Sequence, residues 1–558
     1  MEKKDIEKQA YILALQNAIK HDGRANKGAI IGKLIAMDSS VKDMLKDIQP
    51  VLNKVIKEVN ELKEQEQHEE LKNLDKERYE AIFEKQEKGM PELPNAEKGK
   101  VVTRIPPEPS KYPHIGHALS FLLNYIYAKK YEGKAILRFE DTNPLKASHE
   151  YVEAIMDGLK YIGIKPDKTI FASDDMHIFY DYAEQLIKQE KAYVCFCDKE
   201  KVRKFRNEGK ACKCREKSSL KEWNDMLQGK YKEGECTLRL KGDMESNNFV
   251  MRDPIIFRII EHPHYKQKNK FKVWPMYDFE NSIEDSITGI THILRSNEFG
   301  NMRVELQNYI KDLLNLKKQT IVQYGRFNIT GAISQGREIR EMIEQGKVSG
   351  WDDPQLVTLK ALKRRGIVKE TFWELAKQVG LSKTPTNLDK SLVNSINRKI
   401  LDGKSPRYFF IKQPKEITIE GAEERTIELN KHPSKDLGKR KFKVGSEFII
   451  EEEDYKQFKD GKIYRLMDCL NFKKEKDKLV FHSLSYKEFP KGSLIMHWLP
   501  KSKDNINISV LMDDGNKIEG IAEHHIKELK EGDIVQFQRF GFCRLDSKEK
   551  MYFVFSHK

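Results

Sequence analysis

The sequence predicts a multidomain α/β protein, and three observations carry that reading. From Val101 onward short apolar runs alternate with helical patterns in a βαβ rhythm, which implies a core built on a parallel sheet. Two close cysteine pairs interrupt that rhythm near residue 200, as an insertion with its own site would. Past Ser405 the chain breaks into short alternating runs with Gly and Asp between them, the pattern of antiparallel β-barrels. At 558 residues there is room for roughly three to five domains of ordinary size.

Residues 1–98 form a helical N-terminal extension. Val51, Leu52, Val55, Ile56, Val59 and Leu62 recur at three- and four-residue steps, so amphipathic helices are expected, followed by a mostly polar helix reaching Gly89. Pro91 and Pro94 mark the linker that closes the segment. It carries no catalytic constellation, and a solvated helical hairpin or a docking module for a protein partner is the reading it supports.

Residues 99–193 are the first half of the parallel-sheet domain. The strand at Val101 runs through prolines into His114-Ile115-Gly116-His117. A helix starting near Pro113 projects both imidazoles from its first turn, beside backbone N–H groups that favour an anion. Gly116 leaves the backbone bare for a flat base, so a nucleotide phosphate site is outlined. The helix of GHALSFLLNYIYAKKYEG, the strand AILRFEDTNP and the helix of EYVEAIMDGLKYIG follow. Sites in such sheets lie at the carboxyl ends of strands, which gathers Arg104, Glu140 and Asp141 around the two histidines.

Residues 194–272 are the insertion. Cys195-Phe-Cys197 and Cys212-Lys-Cys214 put four thiolates on two tight turns, the donor set of a closed tetrahedral zinc site. Cys236, Cys469 and Cys543 stand apart and read as structural thiols. Residues 273–325 resume the sheet, with KVWPMYDF as its opening strand, NSIEDSITG as a helix and THILRSNEF as the next strand. A basic loop, a Trp-Asp-Asp-Pro turn at Trp351 to Pro354 and three helices fill residues 326–404. The alternating runs occupy residues 405–558.

Hydrophobic residues make up 39% and charged residues 34% of the chain, with net charge +14. Such a chain reads as soluble and basic, suited to a polyanionic partner. No run of about 18 apolar residues suggests a membrane span, and MEKKDIEKQAYI lacks the apolar stretch of a signal peptide. A cytoplasmic protein without membrane association is expected.

Taken together, these segments resemble the glutamyl-tRNA synthetases of archaeal and eukaryotic type, a class I aminoacyl-tRNA synthetase family. TRIPPEPSKYPHIGHA is similar to its first nucleotide motif, LRFEDTNP to its amino-acid-binding strand, WPMYDFENSIED and GITHILRSNEF to its second half. SGWDDPQLVTLKALKRRG is similar to its stem-contact segment, VQFQRFGFCRLD to its barrel, and AIKHDGRANKGAIIGKLIA to the extra domain of archaeal members. The resemblance covers nearly the whole chain. It implies a Rossmann-type catalytic core, an inserted acceptor-binding domain bearing zinc and an anticodon-binding barrel region. It further implies ATP with Mg²⁺, L-glutamate and tRNA(Glu) as reactants, and leaves tRNA(Gln) open as a second acceptor.

Residue roles follow from the same resemblance. His114, Gly116 and His117 meet the ATP phosphates and base. Glu140 holds the substrate ammonium, Tyr277 contacts the amino acid through its hydroxyl, and Asn281 joins the amino-acid site. Arg104 and Arg295 supply cations opposite a negatively charged substrate; the position matched by Arg295 is uncharged in the sister glutaminyl enzymes. The second signature of class I enzymes, Lys-Met-Ser-Lys-Ser, has no lysine here: the chain reads Gly331-Ala-Ile-Ser-Gln-Gly-Arg-Glu-Ile-Arg340. Alignment on Ser334 is read as placing Arg337 at the second lysine, with Arg340 as a secondary cation, whereas counting back from Trp351 puts Glu338 there. Lys360, Lys363, Arg364 and Arg365 would meet acceptor-side phosphates, and Phe537, Arg539, Phe540 and Arg544 suit unstacked anticodon bases. Two other readings remain: a glutaminyl-tRNA synthetase, disfavoured by Arg295, and a catalytically weakened tRNA-binding scaffold, suggested by the lysine-free loop.

Overall fold

The computed structural model describes residues 3–20, 23–42, 44–83, 90–217 and 220–558. The chain divides into two compact units, Met1–Gly89 and Met90–Lys558.

The first unit contains helices Lys3–Lys20, Lys27–Met37, Leu45–Glu61, Glu64–Leu74 and Lys76–Phe83. Leu52, Val55 and Val59 from the expected stripe are buried with Ala10, Leu13, Leu34 and Leu71. Asn26 opens its helix by accepting a hydrogen bond from the Ala29 N–H at 3.2 Å, as an N-cap does. The polar stretch is two helices meeting at Asp75 rather than one, because Asp75 leaves helical geometry and its N–H closes on Leu71 O. The expected continuation to Gly89 falls at residues 84–89, outside those described. This unit therefore has its own core instead of being a solvated hairpin.

The second unit starts at Met90, earlier than the expected boundary at residue 99, because Leu93 is buried with Val101, Leu123 and Tyr127. Its parallel strands Val102–Ile105, Lys134–Phe139 and Lys168–Phe171 pair in that order. Strands His292–Ser296 and Thr320–Tyr324 form a second parallel pair. The two sets meet where the Thr291 N–H donates to Val102 O at 2.9 Å and the Val102 N–H to Thr291 Oγ1 at 2.8 Å. Val102–Ile105 is thus flanked by strands from both halves of the domain, the switch point at which open α/β sheets bind ligands. Lys134–Phe139 is buried at every position but the first, as expected of a strand covered on both faces.

The insertion is an antiparallel sheet in the order Ala192–Cys195, Thr237–Leu240, Ile255–Ile259, Val273–Pro275. Val273–Pro275 was expected to open the second half of the parallel sheet. It pairs instead with Ile255–Ile259, and Trp274 is buried with Phe257 and Trp223. An apolar strand does not encode which edge it joins.

Helices Gly336–Glu344, Leu359–Arg364, Lys369–Val379 and Lys390–Leu401 follow. Beyond them the chain forms two seven-stranded sheets and a separate two-stranded ribbon, Arg425–Asn430 with Lys439–Val444. The sheets are not purely antiparallel: Ile419 is in parallel register with Leu479, and Val510 with Phe553. Hairpin neighbours pair antiparallel, while strands brought together from distant parts of the chain need not.

Candidate active site

A cavity of about 1220 Å³ opens at the carboxyl end of Val102–Ile105, lined among others by Arg104, His114, His117, Glu140, Tyr277 and Arg295. Five elements deliver these side chains: two parallel strands, the N-terminus of helix Ile115–Lys130, the first turn of helix Tyr277–Ile287 and the strand His292–Ser296. Residues distant in sequence thus converge at the switch point.

The histidines cap one helix together. His114 Nδ1 accepts from the Gly116 N–H at 3.1 Å, and His117 Nδ1 accepts from the His114 N–H at 3.1 Å. Their ring centroids lie 3.8 Å apart. A Cβ at residue 116 would lie 3.0 Å from the His114 ring, so any larger residue there would press the capping imidazole out of place. Burial lowers the His114 pKa well below its ordinary value and that of His117 to about 3, and the Lys111 charge pushes both the same way. Both rings are therefore neutral. With Nδ1 accepting, the proton sits on Nε2, and each ring brings a hydrogen-bond donor rather than a charge to the anion site.

A buried ion network forms the floor. Arg104 Nε donates to Asp285 Oδ1 at 3.3 Å, Arg138 Nη1 donates to the same oxygen at 2.8 Å, and Arg138 Nε donates to Glu140 Oε1 at 2.8 Å. Two cations and two anions balance there. Burial raises the Asp285 pKa, but Arg138 and Arg104 outweigh it and hold the carboxyl below its ordinary value. Glu280 moves the opposite way: burial, then the neighbouring Glu140, raises it well above the carboxylate range, while its Oε2 accepts from Thr142 Oγ1 at 2.7 Å. Arg295 donates to Gln307 Oε1 at 3.0 Å.

Two expected members stand elsewhere. Asn281 is buried behind Glu140, donating to both of its oxygens at 3.3 Å, so it orients that carboxylate from the second layer and does not line the cavity. Asp141 turns away from the cavity, and Ser173 N–H and Ser173 Oγ, together with Tyr265 Oη from the insertion, donate to it at 2.8 Å; alternation along the chain after the strand sends neighbouring carboxylates to opposite sides.

The signature loop corrects a second expectation. Ser334, Gln335 and Glu338 line the cavity. Arg337 does not: its side chain is 89% exposed, and Nε lies 2.9 Å from Glu341 Oε1 one helical turn on. In Lys-Met-Ser-Lys-Ser the second lysine follows the serine directly, so its place here is Gln335, and the alignment that assigned Arg337 is two residues out of register. Arg340 donates to Ser110 O at 3.4 Å and Tyr151 Oη at 3.1 Å, clamping the histidine segment from outside. Lys111, Arg138, Glu280 and Asp285 were missed; the signal for Arg138 was a charged residue inside an apolar strand.

Around this site the histidine segment is bound to the Trp-Asp-Asp-Pro segment. The Leu359 N–H donates to Pro113 O at 2.8 Å, the Ile115 N–H to Val357 O at 3.2 Å, and Tyr112 stacks on Trp351 at 4.8 Å. Of the four basic residues beyond, Lys360 and Lys363 are exposed. Arg364 is instead paired with Asp546 at 2.9 Å, and Arg365, 1% exposed, donates to Ser556 O at 2.6 Å. Those two fasten the helical segment to the C-terminal sheet. In that sheet Phe537 is core, Phe540 packs against the same core, Arg539 grips Asp454 with both terminal nitrogens, and Arg544 pairs with Asp546 at 3.0 Å. All four thus make contacts within the fold.

The four insertion cysteines come together: one Sγ from each lies within 4.8 Å of all the others. Cys195 and Cys212 are 3.8 Å apart, Cys197 and Cys214 3.9 Å. Tetrahedral zinc with Zn–S near 2.3 Å requires sulfur separations of about 3.8 Å, so donor type and spacing both fit that ion. Arg239 Nη1 lies 3.7 Å from the sulfurs of Cys195 and Cys212, a cation placed to offset thiolate charge.

Comparison with known proteins gives one consistent result. The catalytic domain described as tRNA synthetases class I (E and Q) matches residues 100–403, and two anticodon-binding domains of the same description match residues 405–484 and 495–546. The glutamate–tRNA ligase of Pyrococcus abyssi is 39% identical over 579 aligned residues, covering 99% of this chain and all of that one. The glutamate–tRNA ligase of Nitrosopumilus maritimus is 37% identical, again over 99% of this chain and all of that one. Among solved structures, the glutamate-tRNA synthetase of Elizabethkingia anophelis aligns with TM-score 0.40 and 19% identity, over 54% of this chain and 70% of that chain.

Proposed function

The chain belongs to the class I tRNA synthetases for glutamate and glutamine (E and Q), and from that premise we propose that it is a glutamate–tRNA ligase acting at the cavity beside His114 and His117. The observation that carries this reading is the cavity itself, which joins a neutral histidine pair at a helix N-terminus to an arginine-lined pocket. Its curated relatives are named for the same activity.

The reaction has two transfers. An oxygen of the glutamate α-carboxylate bonds to the α-phosphorus of ATP as the bond from that phosphorus to the bridging oxygen breaks, and its electron pair leaves with pyrophosphate. The terminal hydroxyl of tRNA then takes the acyl group, releasing AMP. Neither step needs a protein nucleophile, so this chain acts by positioning and by donors aimed at developing phosphate charge. Mg²⁺ bound with ATP neutralises part of the phosphate charge. His114 and His117 donate through Nε2, Glu140 receives the substrate ammonium while Asn281 and Arg138 hold it in place, and Tyr277 and Arg295 face the amino acid. Arg295 lines the cavity beside Tyr277 and is the cation we assign to the substrate side chain.

Finer parts of the reading rest on particular features. The insertion carries zinc on its four cysteines. Each C-terminal sheet is one barrel of an anticodon-binding region: the end strands of the first, Arg407–Tyr408 and Phe410–Lys412, are separated in the chain by Phe409 alone, which obliges that sheet to roll. Lys360 and Lys363 meet acceptor phosphates. No helix among the described residues is long and apolar enough to cross a membrane, in keeping with cytoplasmic work on tRNA.

The test is ATP–pyrophosphate exchange with glutamate and with glutamine, each with and without tRNA(Glu), followed by aminoacylation of tRNA(Glu) and tRNA(Gln). Exchange with glutamate in the presence of tRNA supports the proposal. Exchange with glutamine alone reassigns the substrate, and exchange with neither makes the chain a tRNA-binding scaffold.

A further inference from the structure

The lysine-free loop leaves the departing pyrophosphate without its usual cation, and the structure places another lysine against that loop. Lys111 lines the cavity three residues before His114. Its side chain rests on Gly336, where a Cβ would lie 2.9 Å from Lys111 Cβ and 3.2 Å from its Cδ. Gly336 is two residues past Ser334 and opens helix Gly336–Glu344. The absence of a side chain at 336 is what gives the lysine stem its bed.

The backbone around Lys111 is fastened on both sides. Ser110 O accepts from Arg340, Tyr112 stacks on Trp351, and Pro113 O accepts from the Leu359 N–H. All three anchors come from the segment that carries or follows the signature loop. Lys111 makes no ion pair within 4 Å among the described residues; burial lowers its pKa, and of the charges acting on it Glu108 raises it and Lys146 lowers it. Its own charge bears on both imidazoles. Since His114 and His117 are neutral, they cannot supply that charge, and Glu338 on the same rim adds a negative one.

We propose that Lys111 is the catalytic cation for pyrophosphate departure, taking over from the first signature segment the task that the second signature's lysine performs in other class I enzymes. As the bond from the α-phosphorus to the bridging oxygen breaks, its electron pair settles on pyrophosphate, and the Lys111 ammonium keeps its proton and hydrogen-bonds the oxygens that gain charge. The inference rests on the glutamate–tRNA ligase reading.

The experiment uses the full chain with tRNA(Glu), glutamate and ATP. Lys111→Met keeps the unbranched stem on Gly336 and removes the charge, and the double variant Lys111→Met with Gln335→Lys returns a lysine to the loop. The rate of pyrophosphate exchange at saturating ATP should fall roughly 100-fold in Lys111→Met, as loss of one oriented charged donor does, with the KM for glutamate within about twofold of the parent. Gln335→Lys should recover about tenfold or more of that loss. A Lys111→Met rate within about twofold of the parent overturns the proposal, as does a loss that Gln335→Lys leaves untouched or that accompanies an equal fall in melting temperature. If the parent exchanges nothing with glutamate, the functional reading itself has failed, and the role of Lys111 fails with it.

Discussion

Arg104 Nε lies 3.3 Å from Asp285 Oδ1, with both side chains sealed from solvent. Arg138 shares that same oxygen at 2.8 Å. Asp285 therefore compensates two buried guanidiniums that belong to different strands, and it fixes where Arg104 presents itself to the cavity. Asp285→Asn leaves one of the paired anions, Glu140, against two buried cations. Removing one partner of a buried pair costs about 3–5 kcal/mol, and urea denaturation should show a loss of that size. A loss under about 1 kcal/mol would mean the network is solvated after all.

Arg295 Nη1 donates to Gln307 Oε1 at 3.0 Å, and Gln307 Nε2 donates onward to Asp278 Oδ1 at 3.0 Å. A guanidinium lining the cavity suits a substrate carboxylate better than an amide, which supplies no opposite charge. Arg295→Cys should lower the ratio of glutamate to glutamine exchange by roughly 100-fold, within the range seen when a charged partner is deleted. An unchanged ratio removes this arginine from specificity.

The cysteine cluster makes a stoichiometric prediction. Four sulfurs within 4.8 Å of one another should hold about one zinc per chain, measurable by elemental analysis of purified protein. Cys212→Ser should lose the metal and, because binding energy is also folding energy at such sites, lower the melting temperature of the insertion. A metal-free parent would leave four reduced thiols and no zinc site.

How far the sequence carried these conclusions differs from residue to residue. Arg104, Glu140 and the histidine pair were legible because strand and helix alternation fixes which ends carry the site. The balance between Arg138 and Asp285 was not, since their contact spans 147 positions and nothing local announces it. The fate of Val273–Pro275 was hidden for a similar reason: an apolar strand reads alike in either sheet. Aromatic and basic alternation at Phe537, Arg539 and Arg544 described a strand core and its ion pairs as well as it described a base-binding face. The loop register failed by count, since the second lysine of the motif follows its serine directly and so falls on Gln335, while Arg337 lies in helix Gly336–Glu344 and turns outward.

That outward turn predicts that Arg337 is dispensable for activation. Its guanidinium pairs with Glu341 on the exposed face of one helix, an arrangement with little energetic weight. Arg337→Ala should keep the exchange rate within about twofold of the parent, whereas Arg340→Ala, which frees Ser110 O and Tyr151 Oη, should lower it about tenfold by loosening the histidine segment. Equal losses in the two variants would return Arg337 to the phosphate site.

His117 should also write itself into the pH dependence of stability. Burial sets its folded-state pKa near 3, against about 6.5 for the unfolded chain. Above pH 6.5 neither state binds the proton, so the residue contributes no pH dependence. Between about 6.5 and 3 only the unfolded state takes it up, and stability falls with acid at up to about 1.4 kcal/mol per pH unit. His117→Asn removes that term and leaves the other titrating groups in place. The stability difference between parent and variant should therefore shift by about 2 kcal/mol against the parent from pH 7 to pH 5, read from denaturant titrations at each pH. Parallel pH profiles would show that His117 is solvated and protonates in the folded protein, and the neutral Nε2 donor assigned to it would have to be withdrawn.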